Sequence, residues 1–477
     1  MTRSKQFPPM RFSRLLRGAL RALVSHMFPG CAPSVLLPAA AILVPLPAAA
    51  QPAVDEHRTP GGLTFRYARM PSAQYQTIRF AWRDDYVLGG KVPSGVWTLG
   101  PALVLQGPQG MTRGEFIEDL KDLDTRIRLT SGPRGMMGLL HTTPDHIEGA
   151  VSLLARTLAR PALDERRFRR ISRRLQLSAN RQEAKGYNLA HCVETYLLFP
   201  EGPVRRWLLG YKSNYKKVSI GHVRQWQSAV FNRRGLMIAA AGSLRPEKAA
   251  EQIDKLFGHL PPGDGAASPL EIPRHSPGRS VVMVRDVPQT VLVMTGWSGF
   301  DHPADRAAGR LANSILQLRL YKAVREELGA AYGVSASFFR PVSDPYILIL
   351  STAVAHDQAP AALKVLKQTF QDFTRRGVTS AELAAEKSKL INRLRQRYQK
   401  AAGASAAMLG AMLDGLPADT VETAPARVAA LTVEQVNGAI GRKLRGRAYA
   451  TIVVAPSAKG FAADCIISKT REARGCR

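Results

Sequence analysis

The chain has 477 residues, of which 45% are hydrophobic and 22% are charged, and its formal net charge is +30 at pH 7. A chain of this length exceeds what one hydrophobic core usually organises, and its apolar content excludes a fully disordered polypeptide. We therefore expect at least two packed domains. The strong excess of Lys and Arg favours anionic partners in general but identifies none of them.

The first fifty residues are typical of a secretory signal peptide. They contain six Lys or Arg and no acidic residue, followed by the apolar run VLLPAAAILVPLP at 35–47 and three alanines at 48–50. The apolar run is shorter than the roughly 20 residues that a membrane-spanning helix needs. We therefore predict a signal peptide over residues 1–50, a periplasmic or secreted mature chain, and no transmembrane segment after cleavage.

The segment VWTLGPALVL, residues 96–105, has the composition of a buried helix. Its centre holds Gly100 and Pro101, the two residue types that are least favourable inside a helix. We therefore expect the helix to bend or to restart at Pro101.

A strongly basic helix is predicted over the segment DERRFRRISRRLQLSANR, residues 164–181. Phe168, Ile171 and Leu175 recur at helical spacing between arginines, which indicates an amphipathic helix with a cationic outer face. Such a face is either solvated or docks an acidic partner or anionic lipid. No nucleic-acid-binding motif accompanies it, so we expect no nucleic-acid partner.

The two halves of the chain contain the same order of elements at a nearly constant offset. A strand-like segment ends at Trp82 in the first half and at Trp297 in the second, 215 residues later. A strand, a turn and a long helix follow in both halves. Each half then ends with a helix and a strand, and the helix starts at Ser219 and Thr432 lie 213 residues apart. Such a constant offset indicates an internal repeat, and Gln435 forms a predicted capping box with Thr432.

The repeat predicts an α+β fold made of two homologous domains, each with a mixed or antiparallel sheet covered by helices. Residues 259–278 are rich in Pro, Gly and Ser and are interpreted as a linker. The predicted domains are therefore 51–258 and 279–477. The sequence leaves open whether Cys465 and Cys476 form a disulfide.

The second half contains the segment LRLYKAVREELGAAYGVSASFFRPVSDPYILILST. Its motif REELGAAYG, together with the duplication, resembles the C-terminal half of the pitrilysin/insulinase family of metallopeptidases. The resemblance covers essentially the whole mature chain. Members of this family bind zinc through an inverted motif, H-x-x-E-H, on a helix and through a more distant Glu, while the motif Glu is the general base.

In this chain the zinc motif of that family falls on the segment GVWTLGPA. Thr98 stands in place of the first His, Pro101 in place of the Glu, and Ala102 in place of the second His. The distant Glu would fall near Ser178 or Ala179. The resemblance therefore implies that this chain binds no metal or other cofactor itself, and that zinc is expected in a partner subunit.

The resemblance also assigns a role to Arg325 and Tyr332, which are seven residues apart. In the family, the equivalent pair holds the substrate backbone and stabilises the tetrahedral oxyanion, which suits a guanidinium and a phenol. The chain thus resembles the non-catalytic subunit of a two-subunit zinc endopeptidase, whose H-x-x-E-H-containing paralogue cleaves a peptide substrate. The alternative is a pseudopeptidase that only binds peptides or acts as a scaffold.

Overall fold

The computed structural model describes residues 52–476, apart from 84, 183–184, 200, 211, 264–274, 276–277, 301–304, 330 and 341–345. The predicted signal peptide and most of the predicted linker lie outside the described residues. The range Gln51–Arg477 forms one compact unit. Over the described part of this range, no helix is long and apolar enough to cross a membrane.

Both halves of the chain consist of short runs of strands and longer runs of helices. The strands are β1 (Asp55–Arg58), β2 (Thr64–Arg69), β3 (Gln76–Trp82), β4 (Arg126–Gly132), β5 (Gly135–Thr142), β6 (Met237–Gly242), β7 (Ser280–Val284), β8 (Thr290–Trp297), β9 (Ala331–Phe339), β10 (Ile347–Val354), β11 (Ala450–Ala455) and β12 (Cys465–Ile467). The α-helices of the first half are α1 (Asp85–Leu88), α2 (Val96–Val104), α3 (Arg113–Asp122), α4 (Ile147–Ala159), α5 (Glu165–Gln182), α6 (Gly186–Leu198), α7 (Pro203–Leu209), α8 (Lys212–Lys216), α9 (Ile220–Val230) and α10 (Pro246–Phe257). Those of the second half are α11 (Arg306–Leu320), α12 (Ala359–Arg376), α13 (Ser380–Tyr398), α14 (Ala401–Leu413), α15 (Thr420–Ala430) and α16 (Val433–Lys443). A π-helical segment (Tyr321–Glu327) follows α11, and a 3₁₀ helix (Thr470–Cys476) ends the described chain.

The described strands form two six-stranded sheets whose orders match except at one edge, where the first sheet has β1 and the second has β12. The first sheet has the order β1-β2-β6-β3-β5-β4 and the second β12-β7-β11-β8-β10-β9. In each sheet the pair β3–β5 or β8–β10 is antiparallel, and the pair β2–β6 or β7–β11 is parallel. The predicted mixed sheets are therefore confirmed.

Equivalent elements recur at the offsets that the sequence predicts. Trp82 ends β3 and Trp297 ends β8. Ser219 and Thr432 are the N-caps of α9 and α16, and Thr432 forms the predicted capping box with Gln435. These matches confirm the α+β fold and the tandem duplication. The domain boundaries at 258 and 279 stay a prediction.

One helix of each half packs against the sheet of the other half. Helix α14 of the second half packs on β3 and β6 of the first sheet, where small residues such as Ala81 and Ala239 meet Ala404 and Met408. Helix α6 of the first half packs on β8 and β11 of the second sheet. Because α6 and α14 start 215 residues apart, the exchange follows the repeat.

The second sheet is completed by the C-terminal segment. Strand β12 pairs in parallel with β7, and the 3₁₀ helix packs against α6. Cys465 and Cys476, one in each of these two elements, form a disulfide bond, whereas Cys192 is a buried thiol on α6. The structure thus bonds the two cysteines whose pairing the sequence left open.

Candidate functional site

Helix α2 contains the positions at which the metallopeptidases that this sequence resembles carry their zinc motif. It runs without a break from Val96 to Val104. The helix therefore does not restart at Pro101, which lies in its interior, and the alternative expectation of a bend there stays a prediction. Packing explains why Gly100 precedes this proline. A Cβ atom at Gly100 would lie 2.5 Å from Cζ3 of Trp226 on α9, which is closer than any carbon pair can approach without a shift. Gly100 therefore lets two buried helices come together.

The side chains at the zinc register do not fit a zinc ion. Pro101 is buried, and Thr98 and Ala102 are half-buried on α2. Ser178 and Ala179 occupy the predicted position of the distant ligand on α5. None of these five side chains is an imidazole, thiolate or carboxylate, the groups that bind zinc in proteins. Among the described residues, no cluster of three or more His, Cys, Asp or Glu could hold a metal ion.

Arginine side chains surround the C-terminal end of α2. Arg113 donates to the carbonyl of Leu105, and Arg167 donates to the carbonyl of Gln106 at 3.4 Å. Arg170 donates to the side-chain oxygen of Gln106 at 3.2 Å. Burial lowers the pKa of Arg113, and the neighbouring arginines of α5 lower it further. Cations at the negative end of a helix dipole stabilise the helix, so this part of the basic helix has a structural role.

Arg325 lies in the π-helical segment, and Tyr332 is the second residue of β9. The Arg325 side chain is exposed, and its guanidinium carbon lies 4.9 Å from the centre of the Tyr321 ring. The structure describes Tyr332 by its backbone only. The two residues therefore belong to consecutive elements that pack on each other, and their assigned roles stay predictions.

The π-helical segment sets the direction in which the chain enters β9. Its last turn contains a hydrogen bond from Leu328 N to Ala323 O at 3.2 Å, which spans five residues as a π-helix requires. Gly329 then takes a left-handed conformation with φ of +63°, which ends the helix. Short π-helical segments are frequent at functional sites, but the sequence carried no signal for this one.

His191 on α6 pairs with Glu194, whose carboxylate also contacts the second sheet. Its Nδ1 lies 3.1 Å from Oε2 of Glu194, and Thr295 of β8 donates to the other oxygen of that carboxylate at 2.5 Å. Burial lowers the pKa of His191, but the hydrogen bonds to Glu194 and to the Leu208 carbonyl outweigh it, so the pKa is raised overall. The H-x-x-E spacing on one helix is the sequence signal for this pair.

The fold and the register together define a class of protein: a duplicated two-sheet peptidase fold in which the described side chains at the zinc register, Thr98, Pro101 and Ala102, are not zinc ligands. Residues 217–390 match the family described as "Peptidase M16 inactive domain". This match covers less than half of the chain and makes that part similar to the M16 peptidases. This confirms the resemblance found in the sequence.

Relatives with solved structures share the fold. The peptidase M16 inactive domain from Pseudomonas fluorescens superposes with a TM-score of 0.76 at 22% identity, covering 85% of this chain and 98% of that one. The periplasmic protease PqqL from Escherichia coli superposes with a TM-score of 0.70 at 14% identity, covering 92% of this chain and 49% of that one.

Curated relatives are equally distant in sequence. An uncharacterized zinc protease of Rickettsia felis is 23% identical over 214 residues, 43% of this chain, and the match spans only 50% of that protein. The "non-peptidase homolog YmxG" of Helicobacter pylori is 19% identical over 366 residues, covering 76% of this chain and 84% of that protein.

Proposed function

We propose that the chain is the non-catalytic subunit of a zinc-dependent endopeptidase that is exported to the periplasm or outside the cell. A paralogue with an intact H-x-x-E-H motif would be its partner and would supply the zinc. The contrast between the two halves carries the proposal. The first half has no zinc ligand at the expected register, whereas the second half keeps an exposed guanidinium, Arg325, on the segment that leads into β9.

In this proposal Arg325 and Tyr332 act across the subunit interface on a peptide held by the partner. The planar guanidinium of Arg325 donates to the substrate backbone and fixes its direction. The Tyr332 hydroxyl donates to the carbonyl oxygen as negative charge develops on it. Donors that are already positioned before the charge appears are a large source of rate enhancement in acyl transfer.

The proposal is tested by mixing the purified chain with such a paralogue and measuring hydrolysis of a fluorogenic peptide, with and without a chelator. We expect chelator-sensitive activity only in the mixture. Arg325→Ala or Tyr332→Phe should lower kcat by about 10²- to 10³-fold, as loss of an oxyanion donor does in other hydrolases. The zinc content of the partner should stay unchanged.

Lys322→Ala is the matched control, because Lys322 is an exposed cation of the same π-helical segment. It should leave kcat within about twofold of the original value, since exposed charges contribute little. Full activity of the Arg325 and Tyr332 variants, or hydrolysis by this chain alone, would refute the role in trans.

The second candidate is a pseudopeptidase that binds peptides without cleaving them. Strand β9 favours it, because β9 is the last strand of the second sheet and one of its edges faces no other described strand. An extended peptide can add to such an edge through backbone hydrogen bonds alone. Peptide binding by this chain in the absence of any paralogue, without activity in the mixture, would support this candidate over the first.

A further inference from the structure

We propose that a pocket in the second half binds a carboxylate carried on an aromatic or apolar body, such as the C-terminal residue of a peptide. The pocket has a volume of about 500 Å³ and lies between α11, α13 and the strand β9. This volume is within the usual range for small-molecule sites. The pocket is lined by the first three turns of α11, whereas Arg325 follows the other end of that helix, so the two proposals stand independently.

One wall of the pocket is aromatic. Phe300, Phe338 and Tyr346 line it. The ring centres of Phe300 and Phe338 are 5.3 Å apart, and those of Phe338 and Tyr346 are 6.4 Å apart. These separations are typical of aromatic rings in contact. The wall therefore offers a continuous apolar surface to a ligand.

Arginines from two helices form a cationic wall of the pocket. Arg306 and Arg310 lie one turn apart on α11, and Arg393 of α13 lines the pocket with its guanidinium 3.7 Å from the carboxylate of Glu386. The same face of α11 continues with Asn313 and Gln317, which a core-facing helix would normally fill with apolar residues. Among the described lining residues there is no Asp or Glu. An anion entering the pocket would therefore meet guanidinium groups from two helices.

The polar face of α11 is fixed by hydrogen bonds to β9. Asn313 donates to the carbonyl of Ala336 at 3.1 Å, and Gln317 donates to the carbonyl of Val334 at 2.7 Å. Ala336 N donates back to Gln317 at 2.5 Å. These bonds tie the helix to β9 and fix the width of the pocket. A preformed site loses less conformational entropy on binding.

A buried cluster of charges holds Arg306 at the edge of the pocket. Asp414 accepts from Arg306 and Arg340, each at 2.6 Å, and lies 3.4 Å from Arg134. The carboxylate and the first two arginines are largely buried, with 12%, 7% and 13% of the side chains of Arg306, Arg340 and Asp414 exposed. These contacts fix the position of the Arg306 guanidinium, so it needs little rearrangement to meet a ligand.

These features together select a ligand with two parts. The guanidinium groups suit a carboxylate, with which arginine forms paired hydrogen bonds. The aromatic wall suits a ring or an aliphatic side chain attached to it. N-acetylphenylalanine has both parts and serves as the probe. N-acetylphenylalanine amide lacks the charge, N-acetylglycine lacks the ring, and inorganic phosphate is an anion without an apolar body.

The test is calorimetric titration of the purified chain with the four compounds. We expect N-acetylphenylalanine to bind at least about tenfold more tightly than any of the other three, since a charge-assisted hydrogen bond or a buried ring each contributes about that factor. Binding should weaken as ionic strength rises. Equal binding of the amide or of phosphate would overturn the proposal, as would failure of N-acetylphenylalanine to bind.

Two variants and one control locate the binding site. Arg310→Gln and Arg393→Gln remove exposed guanidinium groups of the pocket, and each should weaken the binding of N-acetylphenylalanine by about tenfold. Arg395→Gln is the matched control, because Arg395 is an exposed arginine of the same helix that does not line the pocket. Equal weakening by the control would show attraction by net charge only and would refute the site. Circular dichroism spectra check that all three variants fold.

Discussion

At the scale of single residues, Gly100 shows how a position that is unfavourable for a helix is required by the contact between helices. Gly100 and Trp226 are both buried, and the indole occupies the space into which a Cβ atom at Gly100 would point. The sequence marked the position as unusual but could not explain it, because the partner is 126 residues away. The loss of the zinc ligands, in contrast, was readable from the sequence, since it depends only on residue type and register.

We predict that Gly100→Ala destabilises the protein by about 1–3 kcal/mol, because the added methyl group forces the Trp226 ring out of a packed core. The measurement is the urea midpoint at neutral pH. Gly114→Ala in α3 is the control, since its nearest neighbour would be 3.8 Å from the new Cβ and the site is exposed. The control should be neutral or stabilising by up to about 1 kcal/mol. An unchanged midpoint for Gly100→Ala would contradict this account of the glycine.

At the scale of elements, α13 begins at a capping box that is also an ion pair. Glu382 accepts two hydrogen bonds from Arg319 of α11, both at 2.7 Å, and Thr379 forms the capping box with it. The paired hydrogen bonds with Arg319 are the largest cause of the low pKa of Glu382, which falls to about 2. The pair therefore fixes the start of α13 against α11.

This geometry predicts a pH dependence. The pKa of Glu382 is lower in the folded chain than the ordinary 4.5, so its contribution to stability is complete above about pH 5 and is lost as the pH falls toward 2. Glu382→Gln should cost on the order of 2–3 kcal/mol at pH 7 and roughly half of that or less at pH 3. The measurement is the free energy of unfolding of both proteins by urea at each pH. An equal difference at pH 7 and pH 3 would contradict the pairing.

Most elements could be predicted from the sequence because their signals are local. The arginine-rich helix was predicted over 164–181 and is found as Glu165–Gln182, with Phe168 and Ile171 buried as expected. The capping box at Thr432 was equally local. The π-helical segment was missed, because an extra residue in one turn depends on how the helix meets β9 and leaves no periodic signal. The pocket of the second half was missed for the same reason: its two walls come from distant segments.

At the scale of the whole molecule, the repeat predicted two sheets but not the exchange of α6 and α14 between them. The apolar pattern of a helix says that one face is buried, not which sheet covers it. The small residues of α14, such as Ala404, allow close packing on the alanines of the first sheet. Each sheet therefore depends on the other half of the chain for one of its covered faces.

We predict that neither half folds alone. A fragment of residues 51–258 lacks α14, and a fragment of residues 279–477 lacks α6, so each would expose an apolar sheet face to water. Expressed separately, the fragments should aggregate or lack a cooperative thermal transition, whereas co-expressed fragments should purify as a complex. Size-exclusion chromatography and calorimetry make the comparison. Cooperative unfolding of either fragment alone, at the midpoint of the whole chain, would contradict the exchange.

The disulfide at the end of the chain makes the stability of the second sheet depend on the redox state of the compartment in which the chain folds. The bond between Cys465 and Cys476 closes a loop of 11 residues, which in the chain-entropy estimate contributes about 3 kcal/mol. It secures β12, the strand that covers the outer edge of β7. In a reducing compartment that cover would depend on three residues of strand pairing and on the packing of the 3₁₀ helix against α6, and an uncovered edge is a template for aggregation. Oxidation of these two thiols would therefore make the second sheet more resistant to aggregation.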